Sequence, residues 1–283
     1  MFLSRVALED EDPHELDFRF EVVDDGGYFV FVHHGLNLAD LAETIDLGQF
    51  GSAFYMIRAR YPFTTPDIAA DPRIFSERYG FEPQVVAGKY LRFDASSLHD
   101  FFRASWTNDD DQDIDCEIVG ASRELSDEEL RQIFDHMAQP TPLVAQRSGM
   151  SVIAVHDNHF VYIEATQLSL LRGLVEQSIV GFFNTVYPTR FASIPDALID
   201  LIINEYHTAS LVCLPVEWDD TKMDVLPTGN TRTDDTGIHV LIETSQSHWT
   251  SYDLDIPQQM LGRRLLISYD PVGSSWSLDA GAR

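Results

Sequence analysis

The segment Ile153-Ala-Val-His-Asp-Asn-His-Phe-Val-Tyr-Ile163 has the pattern of a β-hairpin. Apolar residues flank a tight turn at Asp157-Asn158, and both residue types tolerate the positive φ that two-residue hairpin turns require. The segment Val22-Val-Asp-Asp-Gly-Gly-Tyr-Phe-Val-Phe-Val32 repeats this pattern around Asp25-Gly26. The sequence therefore predicts two antiparallel hairpins, each near the start of one half of the chain.

Each hairpin is followed by apolar residues at helical spacing and then by a Tyr-Pro pair. The helical positions are Leu38, Leu41 and Ile45 in the first half and Leu168, Leu171, Leu174 and Val175 in the second. The pairs are Tyr61-Pro62 and Tyr187-Pro188. This shared order indicates a divergent internal duplication of one α+β unit. The alternative is that the few shared residues coincide by chance.

The segment 140–149 is predicted to be a linker, because it contains Pro140 and Pro142 and no charged residue before Arg147. It separates a first lobe at 1–139 from a second lobe at 150–283. A capping box, Ser126 to Glu129, opens an amphipathic helix just before it. Further strands are predicted near residues 89–93, 114–119, 211–218, 238–244, 249–254 and 265–269. Strands and helices do not alternate regularly, so the fold class is α+β with a mostly antiparallel sheet.

The charge balance is strongly negative, since 46 Asp and Glu face 19 Lys and Arg, a net charge of −27. With 44% apolar and 11% aromatic residues the chain can still bury a core, which argues against a disordered acidic tail. Such a surface repels nucleic acid and anionic membranes, and it attracts a basic protein partner. The alternative is that the acidity reflects composition alone, without a function.

Two cysteines are too few for a disulfide framework. The alternation from Asp113 to Val119 places Cys116 on a buried face, and Cys213 lies in an apolar run. The most apolar window, 168–186, is interrupted by Arg172 and Glu176, so it does not predict a membrane span. We expect a soluble, cytoplasmic protein with buried free thiols.

Sequence motifs for nucleotide, hydride and acyl-transfer chemistry do not occur in the chain. Gly88-Lys89 is followed by Tyr90, where a P-loop needs Ser or Thr. There is no Gly-x-Gly-x-x-Gly and no Gly-x-Ser-x-Gly, and two lysines offer little for covalent cofactor chemistry. The sequence favours a protein that is not an enzyme and binds no cofactor.

The second hairpin offers a candidate metal site, formed by His156, His159 and Glu164, and the carboxylates from Asp109 to Asp115 are the alternative. A metal-dependent hydrolase is therefore the alternative function. Polar residues beside a hairpin turn also face solvent without any ligand, and the first hairpin has Asp25 and Tyr28 at the positions of the two histidines.

An acidic run spans residues 109–115, with Asp at every second position as in many calcium loops. Ile114 stands where an EF-hand loop needs glycine, and Gly120 where it needs a bidentate acid. The run therefore indicates a solvated acidic loop that can present carboxylates to a partner.

The sequence thus predicts an acidic protein that binds a basic protein. The most specific form of this prediction is an inhibitor or immunity-type protein that neutralises a basic effector or toxin. Aromatic anchors beside acidic residues are the expected contacts. The predicted partner-binding residues are Trp106, Asp109, Asp110, Asp111, Asp113, Asp115, Trp218, Asp219 and Asp220. A structural or assembly subunit is a further alternative.

Overall fold

The structure is a computed structural model of the 283-residue chain. It describes residues 16–23, 27–34, 42, 45–61, 63–80, 82–105, 115–137, 141–156, 160–186, 191–206, 210–219, 222–225, 238–245 and 264–279.

The described chain contains thirteen strands and seven α-helices. The strands are β1 (Leu16–Val23), β2 (Tyr28–His34), β3 (Ala53–Tyr61), β4 (Gln84–Val86), β5 (Tyr90–Phe93), β6 (Asp115–Ala121), β7 (Met150–His156), β8 (Phe160–Ala165), β9 (Ser210–Asp219), β10 (Lys222–Val225), β11 (Ile238–Ser245), β12 (Arg264–Asp270) and β13 (Ser275–Asp279). The helices are α1 (Thr65–Ala70), α2 (Arg73–Tyr79), α3 (Ala95–Ala104), α4 (Asp127–His136), α5 (Leu143–Gln146), α6 (Leu168–Val186) and α7 (Asp196–Tyr206). No helix of this described part is long and apolar enough to cross a membrane.

The chain divides into two compact units, a larger one at 22–171 and a smaller one that joins 1–21 to 172–283. The strands of the larger unit run in the order β2-β8-β7-β6-β3-β5-β4, and every adjacent pair is antiparallel. Those of the smaller unit run β13-β12-β11-β9-β1, again antiparallel, with β10 also on β9. The predicted α+β class with a mostly antiparallel sheet is confirmed.

The division into units differs from the predicted boundary at 140–149. β6 lies before that segment and β7 after it, yet the two strands pair from Cys116 opposite Val155 to Ala121 opposite Met150. Part of the predicted linker is the short helix α5. Pro142 directly precedes this helix. The predicted linker is therefore part of the connection between two strands that pair in one sheet.

The second hairpin is confirmed, because β7 and β8 pair antiparallel on either side of residues 157–159. At the first hairpin Gly27 N–H donates to Val23 O at 3.1 Å. The helical positions predicted after it fall mostly outside the described residues, as does the strand predicted at 249–254. The internal duplication stays a prediction.

Helices cover both faces of the larger unit's sheet. On one face Tyr55, Val119 and Val152 form a buried cluster with Leu130 and Ile133 of α4. On the other face Phe93 of β5 contacts an aromatic cluster on α2 and α3, whose members are Phe75, Tyr79, Phe101 and Phe102. Both faces of β6 are consequently buried, which includes Cys116 as predicted and also the acidic residue Glu117.

Side-chain caps fix where the helices of this unit begin. Ser126 Oγ accepts from Glu129 N–H, and the Glu129 carboxylate accepts from Ser126 N–H, which confirms the predicted capping box of α4. Thr64 caps α1 and Asp94 caps α3 in the same reciprocal way. These caps hold the helix starts, and hence the side chains discussed below, in fixed positions on the sheet.

Candidate functional site

Most of the predicted partner-binding residues lie outside the described residues, namely Trp106, Asp109, Asp110, Asp111, Asp113 and Asp220. Asp115, the last of the acidic run, is the first residue of β6 and is half-buried. Its Oδ2 lies 4.0 Å from Nη1 of Arg60 on β3. The end of the acidic run is thus anchored in the larger unit's sheet.

Trp218 and Asp219 are the last two residues of β9, in the smaller unit. They pair in register with Met223 and Lys222 of β10. The predicted contacts therefore fall into two sets, one on each unit.

Of the three candidate metal residues, the structure describes His156 and Glu164. His156 ends β7 opposite Phe160, and His159 lies outside the described residues. Glu164 is buried in β8, with 4% of its surface exposed. Its Oε1 accepts from Tyr162 Oη at 2.6 Å, and its Oε2 accepts from Val144 N–H at 3.2 Å. Glu164 therefore ties α5 to the sheet, and within the described residues no three His, Cys, Asp or Glu side chains are placed to hold a metal ion.

Burial raises the pKa of Glu164, because the ionised carboxylate loses its hydration. Hydrogen bonds from Tyr162 and from the backbone N–H groups of Val144 and Leu143 oppose this rise, as does the nearby His136. The His136 ring itself is buried, with Nε2 2.9 Å from Thr141 O. A protonated and an ionised Glu164 thus differ in how well they hold the start of α5.

Glu164→Gln is expected to remove a pH-dependent loss of stability. A folded-state pKa above the ordinary value of 4.5 means that the folded protein binds the proton more tightly than the unfolded chain. The contribution of Glu164 is therefore complete below pH 4.5 and is lost as pH rises through the folded-state pKa. The free energy of unfolding, measured in urea from pH 4.5 upwards, should fall with rising pH more for wild type than for Glu164→Gln.

Glu124→Gln is the control for this experiment, because the pKa of Glu124 is lowered to about 2 by hydrogen bonds from Arg92 and Tyr55. The contribution of Glu124 to the free energy of unfolding should have the opposite pH dependence, since it is lost as pH falls from 4.5 towards 2. A Glu164→Gln profile parallel to wild type above pH 4.5 would show that the carboxyl titrates as in the unfolded chain.

The described surface carries a second acidic segment, which the sequence did not single out as a site. We call Glu124, Asp127, Glu128 and Asp135 the acidic ridge; all four are exposed, and the last three lie on α4. Tyr55 Oη donates to Glu124 at 2.7 Å and accepts from Leu125 N–H at 2.9 Å, so the ridge is fixed to the sheet at its start. The capping box predicted the helix, but no local pattern marked its outer face as functional.

Arginines of the larger unit are largely engaged by carboxylates of the same chain. The pairs are Arg58–Glu117, Arg60–Asp115, Arg73–Asp71, Arg92–Glu124, Arg123–Glu129 and Arg131–Glu128. Each pair cancels one positive charge locally, so the remaining carboxylates determine the field around the protein.

A further cluster surrounds Phe134 of α4, and we call it the Phe134 cluster: Arg58, Lys89, Tyr90, Glu117 and Phe134. Arg58 Nη1 lies 2.6 Å from Glu117 Oε1, and its guanidinium carbon lies 5.3 Å from the Phe134 ring centroid. Lys89 Nζ lies 5.0 Å from the same centroid and 4.8 Å from that of Tyr90. Three strands, one turn and one helix supply these residues, so their proximity has no signature in the sequence.

The site thus consists of an acidic surface with aromatic and cationic side chains beneath α4, and its geometry is the only guide to function. Comparison with protein-family models, curated proteins and solved structures finds no match to this chain.

Proposed function

We propose that the chain is an acidic protein-binding protein that neutralises a basic effector or toxin, as an inhibitor or immunity-type protein does. The observation that carries the proposal is the net charge of −27, together with the pairing of the described arginines to the chain's own carboxylates. Most arginines of the larger unit are paired within the protein, whereas the excess of carboxylates is left for a partner.

The acidic ridge supports this proposal, because its carboxylates are exposed and three of them lie on the capped helix α4. Glu124 and Glu128 are paired with Arg92 and Arg131, so the ridge offers a partner chiefly the carboxylates of Asp127 and Asp135. A rigid set of charges loses little conformational freedom when a partner binds. Complementary charge also accelerates encounter with a cationic protein and selects against acidic ones. A basic effector that acts on an anionic substrate would be blocked by an acidic surface that occupies the same cationic groups.

Co-purification from the native host tests the proposal. The tagged full chain should retain a protein of net positive charge at about 0.01 M salt and release it at about 1 M salt, since the Debye length shortens from about 30 Å to about 3 Å. The recovered protein, purified separately, should re-form the complex and lose its activity when bound. Recovery of no partner at low salt, or of acidic proteins only, would contradict the proposal.

A further inference from the structure

Lys89 occupies a cation site made of two aromatic rings. Its Nζ lies 4.8 Å from the ring centroid of Tyr90 and 5.0 Å from that of Phe134. The two rings are 6.3 Å apart and inclined at 45°. Aromatic faces arranged around a positive charge are how proteins bind ammonium and guanidinium groups. The chain's own lysine therefore fills a site whose geometry suits a cation.

Two polar atoms of the same cluster lack a hydrogen-bond partner among the described residues, namely Tyr90 Oη and Glu117 Oε2. Tyr90 is 1% exposed and Glu117 is 7% exposed, so both atoms are buried. Glu117 is joined to the ring of Phe134 through Arg58, which pairs with its other oxygen. Buried polar atoms in folded proteins are normally paired, so this lining suits a ligand that brings hydrogen-bond donors.

We propose that Tyr90, Phe134 and Glu117 bind the guanidinium group of an arginine from the basic partner, and that this arginine displaces Lys89. The identity of the arginine's source rests on the proposed function. A guanidinium group presents five N–H donors in a planar fork and stacks on aromatic rings. On the rings it brings further N–H donors, whereas the Lys89 ammonium leaves both Tyr90 Oη and Glu117 Oε2 without a hydrogen-bond partner.

Charge and location both allow the exchange. One monovalent cation replaces another, so the net charge of the Phe134 cluster is unchanged. Lys89 is half-buried and is the last residue of the tight turn 86–89, in which its N–H donates to Val86 O at 3.2 Å. The two central residues of this turn, Ala87 and Gly88, have φ of 50° and 67°. β4, on the other side of this turn, ends the strand order of the larger unit. The lysine side chain can thus leave for solvent without disturbing the core.

A titration of the full chain with N-acetyl-arginine amide, followed by NMR of the aromatic side chains, tests the site. The ring resonances of Tyr90 and Phe134 should shift, and the citrulline analogue, which has the same shape without the charge, should not shift them. Lys89→Ala removes the competing cation and should tighten binding by about two- to fivefold. Phe134→Leu, which removes the ring but keeps an apolar side chain, should weaken binding by a similar factor.

Arg131→Ala is the matched control for Lys89→Ala, because it also removes one positive charge. Arg131 is exposed and lies on α4, the helix that carries Phe134. The Arg131→Ala protein should bind the arginine compound as wild type does. Equal affinities of Lys89→Ala and Arg131→Ala, or equal shifts with the citrulline analogue, would overturn the site. Glu117→Gln, which keeps the shape of the side chain, should also bind more weakly, and its folding is checked by the urea midpoint.

The two proposals fail separately. If the arginine compound does not bind but a basic partner is captured, the guanidinium site is wrong and the proposed function stands. If the compound binds as expected but no basic partner is captured, the guanidinium site stands and the proposed function is wrong.

Discussion

Gly120→Ala is expected to destabilise the protein by about 3 kcal/mol, because β6 has no room for a side chain at this position. An added Cβ would lie 2.6 Å from Phe50 O and would collide with Ser151 Oγ. Ser151 cannot turn away without loss, since its hydroxyl donates to Phe50 O at 2.8 Å and the side chain is buried. The carbonyl belongs to the backbone of Phe50, so relief requires β6 and the backbone at Phe50 to move apart.

Urea unfolding measures this effect, with Gly173→Ala as the control. A Cβ at Gly173, within α6, would meet nothing within 4 Å. Replacing a glycine inside a helix by alanine is expected to stabilise the protein by about 0.5–1 kcal/mol. The two substitutions add the same methyl group, so opposite signs are predicted. A Gly120→Ala protein as stable as wild type would show that the close approach of β6 to Phe50 is absent.

Local patterns predicted the local structure well. The alternation and turn residues of 153–163 predicted β7 and β8, and the spacing of Ser126 and Glu129 predicted the start of α4. Both signals act between residues close in sequence, where side-chain periodicity and capping chemistry suffice.

Longer-range pairings could not be predicted in this way. Arg58 and Glu117 are 59 residues apart, and their contact depends on a register shift between Met56 and Arg58 where β3 meets β6. A bulge of this kind changes which side chains share a face, and it leaves no clear mark in composition. Pro140 and Pro142 indicated a linker because prolines report only on the local chain. They carry no information on the pairing of β6 with β7, which lie on either side of them.

The contacts of the candidate site likewise could not be predicted from local sequence patterns. Glu164 looked like a metal ligand because it follows His156 and His159, whereas in β8 it accepts hydrogen bonds from Tyr162 and from the start of α5. The Phe134 cluster combines side chains from β3, the β4–β5 turn, β5, β6 and α4, so only the fold brings it together. The acidic run was visible in sequence, but of its members only Asp115 is among the described residues.

Replacing Asp109, Asp111 and Asp113 together by Asn is expected to weaken partner binding by roughly tenfold, taking about 0.5 kcal/mol for each charge removed. The substitution keeps side-chain size while it removes three negative charges. It should leave the free energy of unfolding unchanged within about 0.5 kcal/mol, because the sequence predicts a solvated loop here and such residues contribute little to stability.

The matched control neutralises three carboxylates elsewhere in the larger unit, all of which are exposed, through Glu77→Gln, Glu82→Gln and Asp100→Asn. It changes the net charge by the same three units. A loss confined to the first triple variant locates the partner on the acidic run, whereas an equal loss in both variants shows attraction by the overall charge.

The dissociation constant of the captured basic protein, measured for wild type and both triple variants at low and high salt, tests the central claim most directly. We expect wild type to bind most tightly and the triple variant of Asp109, Asp111 and Asp113 to bind about tenfold more weakly at low salt. Higher salt should narrow this difference in affinity. Equal dissociation constants for all three proteins at both salt concentrations would contradict the central claim, because the excess of acidic residues would then have no part in binding.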